Sequence, residues 1–152
     1  MRIALGSDHR GFKLKQEINN FLVKQGYEIK DFGSFSEETC DYPDFALPVA
    51  ETVASGEYRK GILVCGSGIG MCIAANKVPG IRAALVFNED LARMTAAHND
   101  SNVLFLSERT TAREAMGIIR VWLETPFEGG RHKNRIDKIS NIEKVFLRNP
   151  EK

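Results

Sequence analysis

The chain has 152 residues, a length typical of one globular domain with its own hydrophobic core. Hydrophobic residues make up 43% of the sequence, charged residues 27%, and the formal net charge of +1 provides no overall attraction to nucleic acid or to an anionic membrane. No apolar run approaches the length of a membrane span, and the apolar stretch near the N-terminus is too short for a signal-peptide core, so we expect a cytoplasmic protein.

Short apolar runs alternate with helical patterns along the whole chain, which is typical of a parallel β-sheet. The predicted strands are, in chain order, Ile3–Leu5, Tyr27–Phe32, Gly61–Cys65, Ile81–Val86 and Asn102–Leu106. The predicted helices are Phe12–Gln25, Pro43–Gly56, Ile69–Lys77, Asn88–His98 and Thr110–Thr125, with a polar helix after Gly129 and Gly130. We therefore predict one domain, residues 1–152, with a three-layer α/β/α Rossmann-like, flavodoxin-like fold around five parallel strands.

Two loops of this predicted sheet are rich in chemically capable side chains. They are Ser7–Gly11 after the first strand and Cys65–Gly70 after the third strand. In the flavodoxin-like strand order these two strands are neighbours, and ligands bind at their carboxyl ends. The candidate site is therefore expected where these two loops meet.

The loop Cys65–Gly70 has glycines at alternate positions, which lets backbone N–H groups turn toward an anion. A thiol between a strand end and a helix N-terminus has its anion favoured by the amides and by the helix dipole, so Cys65 is a candidate base or nucleophile. The structural alternative is a buried, inert thiol. A dinucleotide site is a further alternative, although its glycine loop would usually follow the first strand.

The three cysteines of the sequence give no sign of a disulfide framework or a zinc site. Cys40, Cys65 and Cys72 form no CxxC pair, and no histidines stand at metal-ligand spacing from them. We therefore expect no metal and no cofactor, and we interpret Cys40 and Cys72 as bystanders.

Three polar clusters could hold a phosphorylated ligand, and each has a plainer interpretation. Asp8-His9-Arg10 suits sugar hydroxyls and a phosphate, or Asp8 simply caps a helix. His98 could shuttle a proton and Asn99 could donate to an oxyanion, or His98 is only a helix-terminal cation. Two further cations, Arg131 and Arg135, are four residues apart and share a helical face, which suits a phosphate, or they are merely solvated.

Taken together, these residues give the chain a resemblance to the ribose-5-phosphate isomerase B family, which includes the galactose-6-phosphate isomerase subunits. The matching blocks cover nearly the whole chain and are Ser7-Asp8-His9, Gly11-Phe12, Asp41-Tyr42-Pro43, Cys65–Gly70, Ala74–Lys77, Gly80–Arg82, His98–Asp100 and Glu128–His132. The resemblance implies a Rossmann-like homodimer, sometimes paired into a tetramer, with each active site at the dimer interface and the C-terminal helix extending to the partner. It differs at Ser67, where many members carry threonine.

The resemblance also implies a reaction, the interconversion of ribose 5-phosphate and ribulose 5-phosphate in the non-oxidative pentose phosphate pathway. Cys65 is then the base that forms a cis-enediolate, Ser67 passes a proton between the two oxygens, and His98 opens the furanose ring. The implied substrate-binding residues are Asp8 and Tyr42 at the sugar hydroxyls, His9, Arg131 and Arg135 at the phosphate, Arg109 as a further candidate there, and Gly66, Gly68, Ile69, Gly70 and Asn99 at the oxyanion.

Two other functions stay open at this point. The substrate could be a six-carbon sugar phosphate, such as allose 6-phosphate or galactose 6-phosphate, because pocket depth cannot be read from the sequence. The chain could also be a non-catalytic module that binds a nucleotide or a sugar phosphate for regulation. The presence of Cys65, His98 and Asn99 together argues against the second alternative.

Overall fold

A computed structural model describes residues 1–148 of the chain. The strands are β1 (Arg2–Ser7), β2 (Glu28–Asp31), β3 (Lys60–Cys65), β4 (Ala83–Leu85) and β5 (Val103–Ser107). The helices are α1 (Phe12–Lys24), α2 (Pro43–Ala54), α3 (Ile69–Ala75), α4 (Glu89–Asn99), α5 (Ala112–Glu124) and α6 (Arg131–Arg148). All strand pairs are parallel, which confirms the predicted α/β fold with five parallel strands.

The strand order is β2-β1-β3-β5-β4, so the last two strands are exchanged relative to the expected flavodoxin-like order. Burial explains the exchange. Every residue of β5 is buried, as expected of a strand covered on both faces, whereas the three residues of β4 are only half-buried. The short strand therefore takes the edge of the sheet, and the loop after β5 comes to lie beside the loop after β3.

The side chains of β3 alternate between two hydrophobic cores, one on each face of the sheet. Ile62 and Val64 pack in the core that α1, α4 and α5 cover. Leu63 and Cys65 point to the opposite core, which α2 and α3 cover. Cys65 is therefore directed toward α2 and α3 at the carboxyl end of the central strand.

Helix boundaries follow local signals in the sequence. Helix α2 begins at Pro43, as predicted, and continues through Pro48. A capping box between Thr111 and Glu114 starts α5, so this helix begins slightly later than predicted.

Helix α6 carries apolar side chains that no element of the described chain covers. The exposed residues are Ile139, Ile142, Val145 and Phe146, with Ile142 at 57% and Phe146 at 73% exposure. A second exposed apolar pair, Ile69 and Ile73, lies on α3. The predicted docking of the C-terminal helix on a partner stays a prediction.

Among residues 1–148, no helix is both long enough and apolar enough to cross a membrane.

Candidate active site

A cavity of about 510 Å³ opens where the loops after β1, β3 and β5 meet. Its lining residues are Asp8, Arg10, Tyr42, Cys65, Gly66, Ser67, Ile69, Gly70, Glu108 and Arg109. This Cys65 pocket contains most of the residues predicted for the two special loops. The sequence prediction that these loops meet at one end of the sheet agrees with the geometry.

Cys65 lies at the base of the pocket and is nearly buried. Its Sγ accepts a hydrogen bond from the backbone N–H of Gly68 at 3.2 Å. Burial raises the pKa of the Cys65 thiol, and the Asp8 carboxylate adds to this, while backbone N–H groups of Met71, Gly68 and Ser67 oppose it. The amides thus act in the predicted direction, but burial outweighs them and the neutral thiol is favoured in the free chain.

Two of the predicted oxyanion donors are already used in the free chain. The N–H of Gly68 donates to Cys65, and the N–H of Ile69 donates to Ser67 Oγ at 3.3 Å. Gly66 and Gly70 are therefore the better donors for an oxyanion among the four predicted amides. The loop can adopt this shape because Gly68 has a φ of +82°, and a Cβ there would lie 2.3 Å from Leu85 Cδ1.

The loop after β5 holds the Cys65 loop in place. The hydroxyl of Ser107 donates to the Gly66 carbonyl at 2.7 Å, and the N–H of Glu108 donates to the Cys65 carbonyl at 2.9 Å. Sequence reasoning missed both residues, since only the observed order of the strands makes β5 a neighbour of β3.

The loop after β1 supplies a carboxylate and a guanidinium to the pocket. Asp8 Oδ1 accepts a hydrogen bond from Gly11 N–H at 2.9 Å, so Asp8 closes the turn before α1 and also lines the pocket. The Nε of Arg10 donates to Glu108 Oε1 at 2.8 Å, which neutralises this arginine within the pocket wall. Arg109 is then the cation of the lining that carries no such carboxylate partner among the described ion pairs of residues 1–148.

Of two side chains predicted to bind the ligand, Tyr42 lines this pocket and His9 does not. The ring of Tyr42 packs against Gly70, where a Cβ would lie 2.7 Å from Tyr42 Cζ. His9 is not among the lining residues, and its Nδ1 accepts a hydrogen bond from the Cys40 N–H at 3.3 Å. That bond leaves the proton of a neutral His9 on Nε2, the nitrogen available to a ligand.

The other predicted residues lie apart from the Cys65 pocket. Its lining includes none of His98, Asn99, Arg131 and Arg135. Asn99 instead lines a cavity of about 280 Å³ between β4, α4 and α6. One chain therefore brings the predicted site together as two separate halves.

The second half centres on a cluster formed by His98, Glu128, His132 and Arg135, called here the histidine cluster. The rings of His98 and His132 are stacked, with centroids 4.3 Å apart and an interplanar angle of 4°. Glu128 Oε2 lies 3.8 Å from His98 Nε2 and 3.7 Å from His132 Nε2. Sequence reasoning gave no role to Glu128 or His132, because their partner His98 is thirty or more positions away in the chain.

Known proteins resemble this chain over most of its length. The profile of the family described as Ribose/Galactose Isomerase matches residues 3–139. Ribose-5-phosphate isomerase B of Escherichia coli is 47% identical over 143 residues, which cover 93% of this chain and 96% of that protein.

Solved structures agree with the sequence comparison. The ribose-5-phosphate isomerase B of Clostridium thermocellum superposes with a TM-score of 0.94 at 54% identity, covering 96% of this chain and 99% of that one. The Mycoplasma genitalium enzyme of the same name, solved with bound ribulose 5-phosphate, superposes with a TM-score of 0.90 at 44% identity, covering 95% of this chain and 97% of that one.

Proposed function

This chain belongs to the ribose/galactose isomerase family, and on that premise we propose that it interconverts ribose 5-phosphate and ribulose 5-phosphate. The observation that carries the proposal is the placement of Cys65 in a cavity lined by backbone amides, two carboxylates and Arg109, which has no carboxylate partner among residues 1–148. The reaction needs a base, an oxyanion site and exclusion of water. The proposed substrate also agrees with the cytoplasmic location expected from the sequence.

Cys65 acts as the base in this mechanism. Its thiolate removes the proton from the carbon beside the carbonyl and returns it to the neighbouring carbon, so that the pair of carbons passes through a cis-enediolate. Negative charge grows on oxygen, where the N–H groups of Gly66 and Gly70 can stabilise it. Removing one such donor from an oxyanion hole typically costs about 3–4 kcal/mol of transition-state stabilisation.

In this proposal Ser67 acts on the two enediolate oxygens, and Asp8 binds the sugar hydroxyls. The hydroxyl of Ser67 lines the pocket and can pass a proton between the enediolate oxygens. Asp8 and Tyr42 both line the pocket, and a carboxylate and a phenol hydroxyl suit the sugar hydroxyls. Arg109 adds a cation for the phosphate, together with His9, Arg131 and Arg135.

A second copy of the chain completes each site in this proposal. The phosphate-binding arginines and His98 lie outside the Cys65 pocket of their own chain. Exposed apolar residues flank both halves, Ile69 beside the pocket and Ile142 on α6. Large exposed apolar surfaces mark interfaces, and a two-fold dimer would place the histidine cluster of one copy at the pocket of the other.

The first experiment measures conversion of ribose 5-phosphate by the purified chain in the presence of EDTA. A panel with allose 6-phosphate and galactose 6-phosphate is assayed in parallel, because the depth of a completed pocket sets the substrate length. Cysteine-dependent turnover of the pentose supports the proposal. Turnover of a hexose phosphate alone would keep the family and replace the substrate, and no turnover at all would leave a binding role.

The shared site is tested by mixing two inactive variants, Cys65→Ala and His98→Asn, by co-expression. In a dimer with shared sites, one of each mixed dimer's two sites carries both substitutions and the other carries neither. Random pairing should restore about a quarter of wild-type activity. Mixtures that stay inactive, although native mass spectrometry shows mixed dimers, would contradict the shared site.

A further inference from the structure

The Glu128 carboxylate lies at the shared Nε2 edge of two stacked imidazoles, and the backbone holds it there. Its N–H donates to the Ala97 carbonyl at 3.0 Å, which fastens the loop before α6 to the last turn of α4 next to His98. Its Oε2 is 3.8 Å from His98 Nε2 and 3.7 Å from His132 Nε2. These distances are slightly longer than hydrogen bonds, as catalytic contacts often are before substrate binds.

Arg135 determines which nitrogen of His132 carries the proton. Its Nη1 lies 3.3 Å from His132 Nδ1, and a guanidinium can only donate, so Nδ1 is an acceptor. An acceptor at Nδ1 requires a neutral ring, and in keeping with this, burial lowers the pKa of His132, as do His98, Arg131 and Arg135, while Glu128 opposes them. The proton of neutral His132 is therefore on Nε2 and directed at the Glu128 carboxylate.

The same arrangement disfavours a metal ion. His98, Glu128 and His132 could each offer one ligand atom, and these atoms lie within 4.8 Å of one another. A metal would need the lone pair of His132 Nε2, which is protonated in the tautomer that Arg135 selects. The positive charges of Arg131 and Arg135 also repel a cation.

We propose that Glu128 is a positioning residue for ring opening by His98. Oriented by the Nε2–H of His132, the same carboxylate accepts the Nε2–H of His98 and so leaves the lone pair on His98 Nδ1. Nδ1 takes the proton from the anomeric hydroxyl while the bond between C1 and the ring oxygen breaks and the C1 carbonyl forms. The imidazole then gives this proton to the ring oxygen and ends in its original state.

This inference rests on the proposed function, but the two can be tested separately. Ribose 5-phosphate is mostly a closed furanose and must be opened before Cys65 can act. Ribulose 5-phosphate has no such ring, because its C5 oxygen carries the phosphate. Exchange of its C1 hydrogen with deuterated water therefore reports the Cys65 step without ring opening.

The experiment compares Glu128→Gln with Glu124→Gln, a matched change at an exposed glutamate near the end of α5. Glu128→Gln should lower kcat/KM for ribose 5-phosphate about tenfold, with C1 exchange within about twofold of wild type. Glu124→Gln should change neither rate. His98→Asn should give the same pattern with a larger loss.

Four outcomes would overturn the inference. Equal losses in both assays would mean that Glu128 supports the site as a whole, and no loss in either would mean that it has no role. Inhibition by zinc chloride that Glu128→Gln abolishes would mean a metal site and a different His132 tautomer. A wild-type chain that neither exchanges the C1 hydrogen of ribulose 5-phosphate nor converts this ketose to ribose 5-phosphate would overturn the proposed function itself, and this inference with it.

Discussion

Lys60 begins β3 and Cys65 ends it, and burial shifts the pKa of each toward its neutral form. The amine at the first end is enclosed by partners. Lys60 Nζ donates to the Ser101 carbonyl at 2.6 Å and lies 4.6 Å from the Trp122 ring centroid. The thiol at the second end faces a cavity of about 510 Å³.

The comparison separates burial from function. Desolvation lowers the pKa of Lys60 to about 8, a large shift, yet its amine contacts the Ser101 carbonyl and the Trp122 ring rather than a ligand-sized space. Cys65 has a shifted pKa together with access to a ligand-sized space. A shifted pKa thus identifies a buried group, and access to a cavity identifies the one that can react.

The largest expected effect is at Cys65. Cys65→Ala should lower kcat for ribose 5-phosphate at least about a thousandfold while the dissociation constant changes little, because the base is lost and the binding groups remain. Steady-state kinetics and calorimetric titration of the substrate measure the two quantities. Cys72→Ala, which removes the neighbouring half-buried thiol, is the control and should stay active.

A similar loss of affinity in Cys65→Ala and Arg135→Ala would contradict this division of roles. Arg135→Ala should weaken binding more than turnover, since its proposed partner is the phosphate.

The pH dependence should come next in size. The thiolate is the basic form of Cys65, and burial raises its pKa, so the thiolate fraction and kcat/KM should rise up to about tenfold per pH unit from neutral into the alkaline range. Asp8 contributes to the raised pKa, so Asp8→Asn should move the rising limb to lower pH. A flat profile in the wild-type enzyme would exclude the thiol as the base.

Ser107 should have a smaller effect on the same end of β3. Ser107→Ala removes the donor to the Gly66 carbonyl, leaves this acceptor without its partner, and should lower kcat about tenfold with a small loss of stability. Ser55→Ala removes a comparable hydroxyl-to-carbonyl bond at an exposed helix end and serves as the control. Equal activity of the two variants would mean that the Cys65 loop does not need the Ser107 hydrogen bond.

The smallest effect on activity is expected at the other end of β3, where a substitution should change only stability. The native state prefers neutral Lys60, with a pKa of about 8 against 10.5 for the ordinary group, so below pH 8 the charged amine carries its full burial cost. This cost disappears as the pH rises from about 8 to 10.5. Over that range the stability of the wild type should therefore increase relative to that of Lys60→Met. Thermal unfolding should show the melting temperatures shifting relative to each other by up to about 10 °C, with activity unchanged. A constant difference would contradict the lowered pKa.

The sequence predicted the loop of the Cys65 pocket better than the residues that hold this loop in place. Alternating glycines and the position of Cys65 after a buried run were enough to locate the pocket loop. Ser107 and Glu108 could not be found, because apolar runs do not reveal which strands are neighbours, and β5 rather than β4 pairs with β3. The net direction of the Cys65 pKa was also missed, since it depends on how much protein covers the thiol.

The histidine cluster was predicted in part for a similar reason. His98 and Arg135 were singled out by residue type and spacing, but the stacking of two rings beside Glu128 depends on how α4 and α6 approach each other. Side-chain tautomers follow from such three-dimensional neighbours, so no pattern along the chain could assign them.

The separation of Cys65 from His98 within one chain would affect inheritance if dimers share their sites. A cell with two alleles makes mixed dimers from both gene products. A product lacking only Cys65, or only His98, still leaves one working site in every mixed dimer and would behave as a mild allele. A product lacking both residues inactivates both sites of each mixed dimer. It would therefore lower the activity of the wild-type product and act as a dominant negative.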